Sequence, residues 1–273
     1  MRSLIRLDDW SASDIEQVFD LADAYRDGRG PVTSGCAVLF FPASSLRTRV
    51  TFERGAALMG LQPIVFPETT LDKPEALADV AAYLDAWADV VIARHPDLAV
   101  LDGLAAVPSL PVVNAMTDVN HPCEVLSDLY ALRQGADLRS LRLLFVGADG
   151  NIARAWHEAA RVLGLDLVQC APASLATPGA RSTDDLEVAI RSADVVLTDG
   201  PGVHAEALAP YRITAALLDR APAGVRFNPC PPFQRGREVA ADALEHPAFV
   251  GHAFKASLLP VQQAVIAFCL GLR

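Results

Sequence analysis

The sequence predicts an α/β fold of two doubly wound, parallel-sheet domains of similar size. Three observations carry this. Short β-branched or aromatic runs alternate with stretches of helical period, the rhythm of βαβ units. That rhythm pauses at residues 133–137, Arg-Gln-Gly-Ala-Asp, and restarts at Leu141. The chain, with 273 residues, 52% hydrophobic and 21% charged, is long enough and apolar enough for two domains with real cores.

Taken in order, Ser13-Asp14-Ile15-Glu16 reads as a capping-box string, and Ile15, Val18, Phe19 and Ala22 follow at helical spacing. Strands are predicted at residues 36–41, 62–66, 89–93 and 111–114, with helices around 51–59 and 75–87 between them. After the seam come strands at 141–147, 165–170, 194–198 and 225–227, and an apolar helix over 260–270 closes the chain. Neither a short-period repeat nor a low-complexity linker interrupts this order.

Composition narrows the function. A formal net charge of −10 and the absence of any Lys/Arg run argue against nucleic acid. The longest apolar runs read as too short to span a membrane, and residues 1–9 lack a secretory apolar core, which gives a cytoplasmic expectation with no membrane partner. Five scattered cysteines, without CxxC or Cys/His ligand spacing, read as reduced thiols, with no disulfide framework and no metal site.

Chemistry concentrates at strand ends. Residues 45–49, Ser-Leu-Arg-Thr-Arg, lie between a strand and a helix, so hydroxyls, guanidinium groups and free backbone N–H groups converge there as an anion site. The competing reading is a helix capped by Ser44 or Ser45, with its arginines in solvent. Arg94 stands at the carboxyl end of another strand, where open sheets bind ligands. His121 opens a helix. A surface ion pair for Arg94, a cap for His121 and a solvated face for Asp128 are the plain alternatives. Residues 147–153 follow G-x-x-G-x-x-A rather than G-x-G-x-x-G, and no acid ends the next strand, which disfavours a dinucleotide site and a nicotinamide-dependent oxidoreductase.

Together these segments resemble the aspartate/ornithine carbamoyltransferase family over nearly the whole chain. Ser45-Leu46-Arg47-Thr48-Arg49 matches the family's S-T-R-T-R motif, Arg94 its strand-end arginine, and His121-Pro122-Cys123-Glu124 its H-P-x-Q. Lys73-Pro74-Glu75-Ala76-Leu77-Ala78-Asp79 resembles the mobile K-G-E-x-L-x-D loop of the aspartate branch. Gly147 through Asn151, then Thr198-Asp199, and the run from Pro229 to Val239 around Cys230 resemble the ornithine branch.

The resemblance implies domains at 1–134, for carbamoyl phosphate, and 135–273, for an amine substrate, with the last helix packing back on the first. It implies carbamoyl transfer from carbamoyl phosphate to an amino acid or related amine, without cofactor or metal. Ser45, Leu46, Arg47, Thr48, Lys73, Arg94, His121 and Glu124 would line the donor site; Thr48, Arg94, His121 and Cys230 would act in catalysis. Asn151, Asp199, Cys230 and Pro231 would face the acceptor. Lys73 would reach a neighbouring subunit of a homotrimer with shared sites; a solvated loop lysine is the alternative, as a buried structural thiol is for Cys230.

Departures from the pattern matter as well. Leu46 removes a hydroxyl donor, and Glu124 replaces a glutamine, setting a carboxylate near a dianion. Pro229 stands where the ornithine branch has histidine, residues 256–259 offer no late arginine, and residues 199–202 lack the S-M-G signature. These changes keep open a non-catalytic binding or regulatory paralogue, and an acceptor other than ornithine.

Overall fold

The computed structural model describes residues 1–273, which form two compact units: Met1–Tyr130 with Ala256–Arg273, and Ala131–Lys255. In the first unit, α1 (Ala12–Arg26) is capped by Ser11 rather than Ser13. Ser11 Oγ accepts from Asp14 N at 3.2 Å, and the Asp14 carboxylate accepts from Ser11 N at 2.9 Å, so the reciprocal box forms two residues earlier than the 13–16 string suggests. Partial burial opposes ionisation of Asp14, but the Ser11 bonds and the Arg2 charge outweigh it and hold the carboxyl below its usual range. The helix buries Ile15, Val18, Phe19 and Ala22. Ser11→Ala is expected to lower stability by about 1 kcal/mol in chemical denaturation, with no change in fold.

The first sheet alternates β1 (Gly35–Phe40), α2 (Arg47–Leu58), β2 (Leu61–Phe66), α3 (Leu77–Asp85), β3 (Val90–Arg94), α4 (Leu98–Leu104), β4 (Val112–Met116) and α5 (Pro122–Arg133). All strand pairs are parallel, in the order β2-β1-β3-β4. Val90 through Ala93 are wholly buried, as a strand covered on both faces requires. Two boundaries differ usefully from expectation. α2 starts at Arg47, not near 51, so Arg47 and Thr48 are helical. α4, too short to show a clear period, is started by Asp97, whose carboxylate accepts from Ala99 N at 2.9 Å.

The second unit contains β5 (Arg142–Val146), α6 (Asn151–Leu163), β6 (Asp166–Cys170), β7 (Ser182–Thr183), α7 (Leu186–Ala189), β8 (Val195–Thr198), α8 (Ala215–Leu218), β9 (Arg226–Pro229) and α9 (Gly251–Lys255). Its parallel order is β7-β6-β5-β8-β9. Leu144, Val146, Val196 and Phe227 pack with Ile190 and Ile213 in one core layer.

The final helix, α10 (Leu258–Leu270), belongs to the first unit and packs on α1 and α2. The expectation that no segment reaches membrane length needs correction: Gly251–Leu270 is long and apolar enough to cross one. Its apolarity has another cause in this fold, since Val261, Ala264, Val265, Ile266 and Ala267 of α10 are fully buried in protein.

Each sheet reverses its winding direction once, between β1 and β3 in the first unit and between β5 and β8 in the second. At such switch points the loops leaving the strands diverge and open a crevice at the carboxyl ends.

Candidate functional site

At the first switch point, β1 delivers residues 42–46 and β3 delivers Arg94. Arg94 Nη1 donates to Ser45 Oγ at 3.3 Å, tying the two strand ends together. The serine-cap reading fails: Leu46 occupies the N-cap of α2, and no side chain caps the helix. Ser45 N instead donates to Pro42 O at 2.9 Å, closing a turn before the helix. Val50 N is the first amide bonded within the helix, to Leu46 O, so the N–H groups of Arg47, Thr48 and Arg49 have no intrahelical acceptor. Arg47 is exposed beside them and pairs with no carboxylate, whereas Arg49 pairs with Glu53 at 3.4 Å. Ser45 and Thr48 are buried; Leu46, 68% exposed, adds no polar group.

Arg94 is half-buried. Burial and the nearby Arg47 pull its guanidinium below the usual arginine range, while Glu124, Asp118 and Glu68 push the other way. Glu68 and Asp118 went unnoticed in the sequence, because nothing in their spacing sets them apart from surface acids.

His121 and Glu124 are both buried at the start of α5, with Nε2 and Oε2 4.0 Å apart. A network that the sequence reading missed holds the turn before them. Asn114 Nδ2 donates to Asn120 Oδ1 at 2.7 Å, Thr117 N donates to Asn120 O at 2.9 Å, and Asn120 N returns to Thr117 Oγ1 at 3.1 Å. Both amides also reach Ile5 O. The signal was present as Asn114, Thr117 and Asn120 at three-residue intervals after a strand.

Lys73 is exposed, and no hydrogen bond or ion pair joins it to these groups. The turn before it is nevertheless anchored. His95 Nδ1 accepts from Asp97 N at 3.1 Å, which leaves the ring proton on Nε2, 3.0 Å from Asp72 Oδ1. His95→Ala is expected to speed hydrogen exchange of the backbone amides at 71–73 by about 5- to 10-fold, with exchange elsewhere unchanged.

In the second unit, β5 leads into Gly147, whose φ of 156° favours glycine. A Cβ there would stand 3.3 Å from the Phe145 ring and 3.9 Å from Asp199 N, so the two loops at this switch point run close together. Asp149 shapes the first loop: Arg154 donates two bonds to its carboxylate, at 2.9 and 2.6 Å, and Thr177 Oγ1 adds a third at 3.0 Å. The Arg154 bonds hold the Asp149 carboxyl below its usual range. Asn151, half-buried, is the first residue of α6, and Asp199 follows β8. Cys230 N donates to Thr198 O at 2.8 Å, setting the end of β9 level with that of β8; Cys230 is buried and Pro231 half-buried. At the start of α10, in the first unit, Leu258 is buried among residues 256–259, which carry no cation.

The chain is similar to known proteins over most of its length. Residues 2–134 match the family described as aspartate/ornithine carbamoyltransferase, carbamoyl-P binding domain. An ornithine carbamoyltransferase of Methanothermobacter thermautotrophicus is 32% identical over 290 aligned positions, spanning 94% of this chain and 95% of its own. That of Chromobacterium violaceum is 32% identical over 88% of this chain and 85% of its own. Among solved structures, ornithine carbamoyltransferase from Pyrococcus furiosus superposes with a TM-score of 0.92 at 25% identity, covering 99% of this chain and 97% of that one. The enzyme from Burkholderia thailandensis gives 0.90 at 26% identity, covering 99% of each chain.

Proposed function

Because the chain belongs to the aspartate/ornithine carbamoyltransferase family, on its ornithine branch, we propose that it transfers the carbamoyl group of carbamoyl phosphate to the amine of an amino acid. Ornithine is the first acceptor to test, since the relatives carry that name. The observation that carries the reading is the first switch point, where one uncommitted guanidinium, three unbonded helix amides and the Ser45–Arg94 bridge meet at one strand-end crevice.

In this reading Arg47, Ser45 and the amides at the start of α2 hold the phosphate. Thr48, Arg94 and His121 donate to the carbonyl oxygen as it gains charge, and Glu124 accepts from the carbamoyl NH₂. A neutral amine attacks the carbonyl carbon; the C–N bond forms, the bond to the phosphate oxygen breaks, and the amine proton leaves on the phosphate. Orientation and charge supply most of the rate. In the second unit, Asp199 suits an ammonium, Asn151 a carboxylate, and Cys230 and Pro231 the apolar stem between them.

The reading extends to a cytoplasmic homotrimer in which Lys73 serves a neighbour's site. Val50 and Leu58 on α2, with Ile64 and Phe66 on the edge strand β2, are exposed apolar side chains that support an association surface. Five free cysteines support a reducing compartment. Native mass spectrometry is expected to show three copies.

The test of the reaction is phosphate release from carbamoyl phosphate with ornithine, then with other diamino acids and simple amines, scored together with ureido product. Amine-dependent phosphate release is expected. Tight donor binding with no product from any amine would mean that the fold binds without turning over.

A further inference from the structure

In the carbamoyl-transfer reading, on which this inference rests, Asn151 faces the acceptor's carboxylate, and its place depends on Gln169 of β6. Gln169 is wholly buried between Val168 and Cys170. A primary amide in such a place is costly unless its polar atoms are bonded. Here both are. Gln169 Nε2 donates to Gly147 O at 2.9 Å, and Oε1 accepts from Thr177 N at 2.9 Å. His157 Nε2 lies 3.2 Å from the same Oε1. A carbonyl only accepts and a backbone N–H only donates, so Gly147 and Thr177 fix which end of the amide is which. His157 therefore donates. Burial, the largest influence on it, holds the ring below the usual histidine range, which leaves it neutral with its one proton on Nε2.

The three bonds come from the three segments that determine where Asn151 lies. Gly147 opens the loop that leads to it, and Gly147 N also donates to Cys170 O at 3.1 Å, so this residue is held through both of its backbone groups. Thr177 belongs to the segment after β6, which grips the middle of the loop: Asp149 N donates to Leu175 O at 2.7 Å, and Thr177 Oγ1 donates to Asp149 Oδ1 at 3.0 Å. His157 stands on α6, the helix that Asn151 begins. Asn151 is thus fixed by the loop before it and by the helix after it, and both constraints meet at one amide.

We propose that Gln169 is a positioning residue for the acceptor: it sets the place of Asn151 and, through Asn151, the affinity for the acceptor's carboxylate. None of its bonds involves a residue of the donor cradle. An apolar side chain could fill the same space and would make none of them.

Gln169→Glu keeps the shape and loses the donor to Gly147 O. In hydrogen exchange without substrate, the amides of Gly147 and Asp149 are expected to exchange at least about 10-fold faster in this variant, with those of α2 unchanged. With ornithine as acceptor, its KM is expected to rise about 10- to 100-fold, while kcat stays within about threefold and the Kd of carbamoyl phosphate within about twofold. Added to Asn151→Ala, the same change is expected to raise KM no further, because a residue that acts through Asn151 then has nothing to act on. His157→Phe strips only the helix-side bond; its expected rise in KM is about 3- to 10-fold, and it replaces Gln169→Glu if that variant fails to fold. An unchanged ornithine KM in the folded variant overturns the proposal. So does an equal rise in the Asn151→Ala background, or unchanged exchange at Gly147 and Asp149. Absence of product from the unaltered protein would be a failure of the transfer reading alone, since the exchange measurement needs no turnover and still decides whether Gln169 holds the loop.

Discussion

Arg47→Ala weakens binding of carbamoyl phosphate by about 100-fold or more, as measured by calorimetry. Arg47 is the cation of the cradle with no carboxylate of its own, whereas Arg94 is already bonded to Ser45 and surrounded by acids. Leu46 offers nothing in compensation, and the buried start of α10 brings no second guanidinium. Loss of a forked, charge-assisted contact to a dianion costs about 3 kcal/mol, which is roughly 100-fold in Kd. Arg47→Lys is the control: a point charge without the fork falls between the two. Because Arg47 is exposed, melting temperature stays near that of the unaltered protein, so the loss reads as binding rather than folding. Unchanged affinity in Arg47→Ala would move the anion away from the start of α2.

His121→Ala acts on a different quantity. It is expected to lower kcat by about 10²–10³, on the order of 3–4 kcal/mol of barrier, while donor Kd changes by less than about threefold. A group that meets the carbonyl oxygen only as it becomes an oxyanion contributes little to ground-state binding. The Asn114–Thr117–Asn120 network holds the preceding turn through bonds that do not involve the imidazole, so the backbone of α5 survives the truncation. Near-normal turnover would remove His121 from the oxyanion role; equal losses in Kd and kcat/KM with unchanged kcat would assign it to uniform binding.

Much of this arrangement was legible in the sequence because it is carried by local signals. Each parallel strand, buried on both faces, leaves a continuous apolar run, and the residues at its carboxyl end fall at the crevice by topology. Arg94 was singled out that way, whereas Asp199 and Cys230 came only from the family resemblance. Boundaries were less visible. The Ser11–Asp14 and Ser13–Glu16 strings satisfy the same capping chemistry, and only the packed helix shows which pair closes. The start of α2 at Arg47 was hidden because Leu46, at the N-cap, has no capping oxygen to announce it. Short elements such as β7 and α8 carry too few residues to show a period. Glu68 and Asp118, unlike Glu124, were invisible for a different reason: they lie in segments remote from Arg94 in sequence and act on it only through the fold. The length of the apolar segment at 251–270 was underestimated in the sequence, and α10 within it packs on α1 and α2.

The most direct measurement is transfer of label from ¹³C-carbamoyl phosphate in the presence of an amino-acid acceptor, followed by mass spectrometry of the product and by phosphate release. Carbamoyl transfer predicts one labelled ureido group formed for each phosphate released, lost together in His121→Ala and Arg47→Ala. Phosphate released without label in any amine, or no release while carbamoyl phosphate binds tightly, would contradict it.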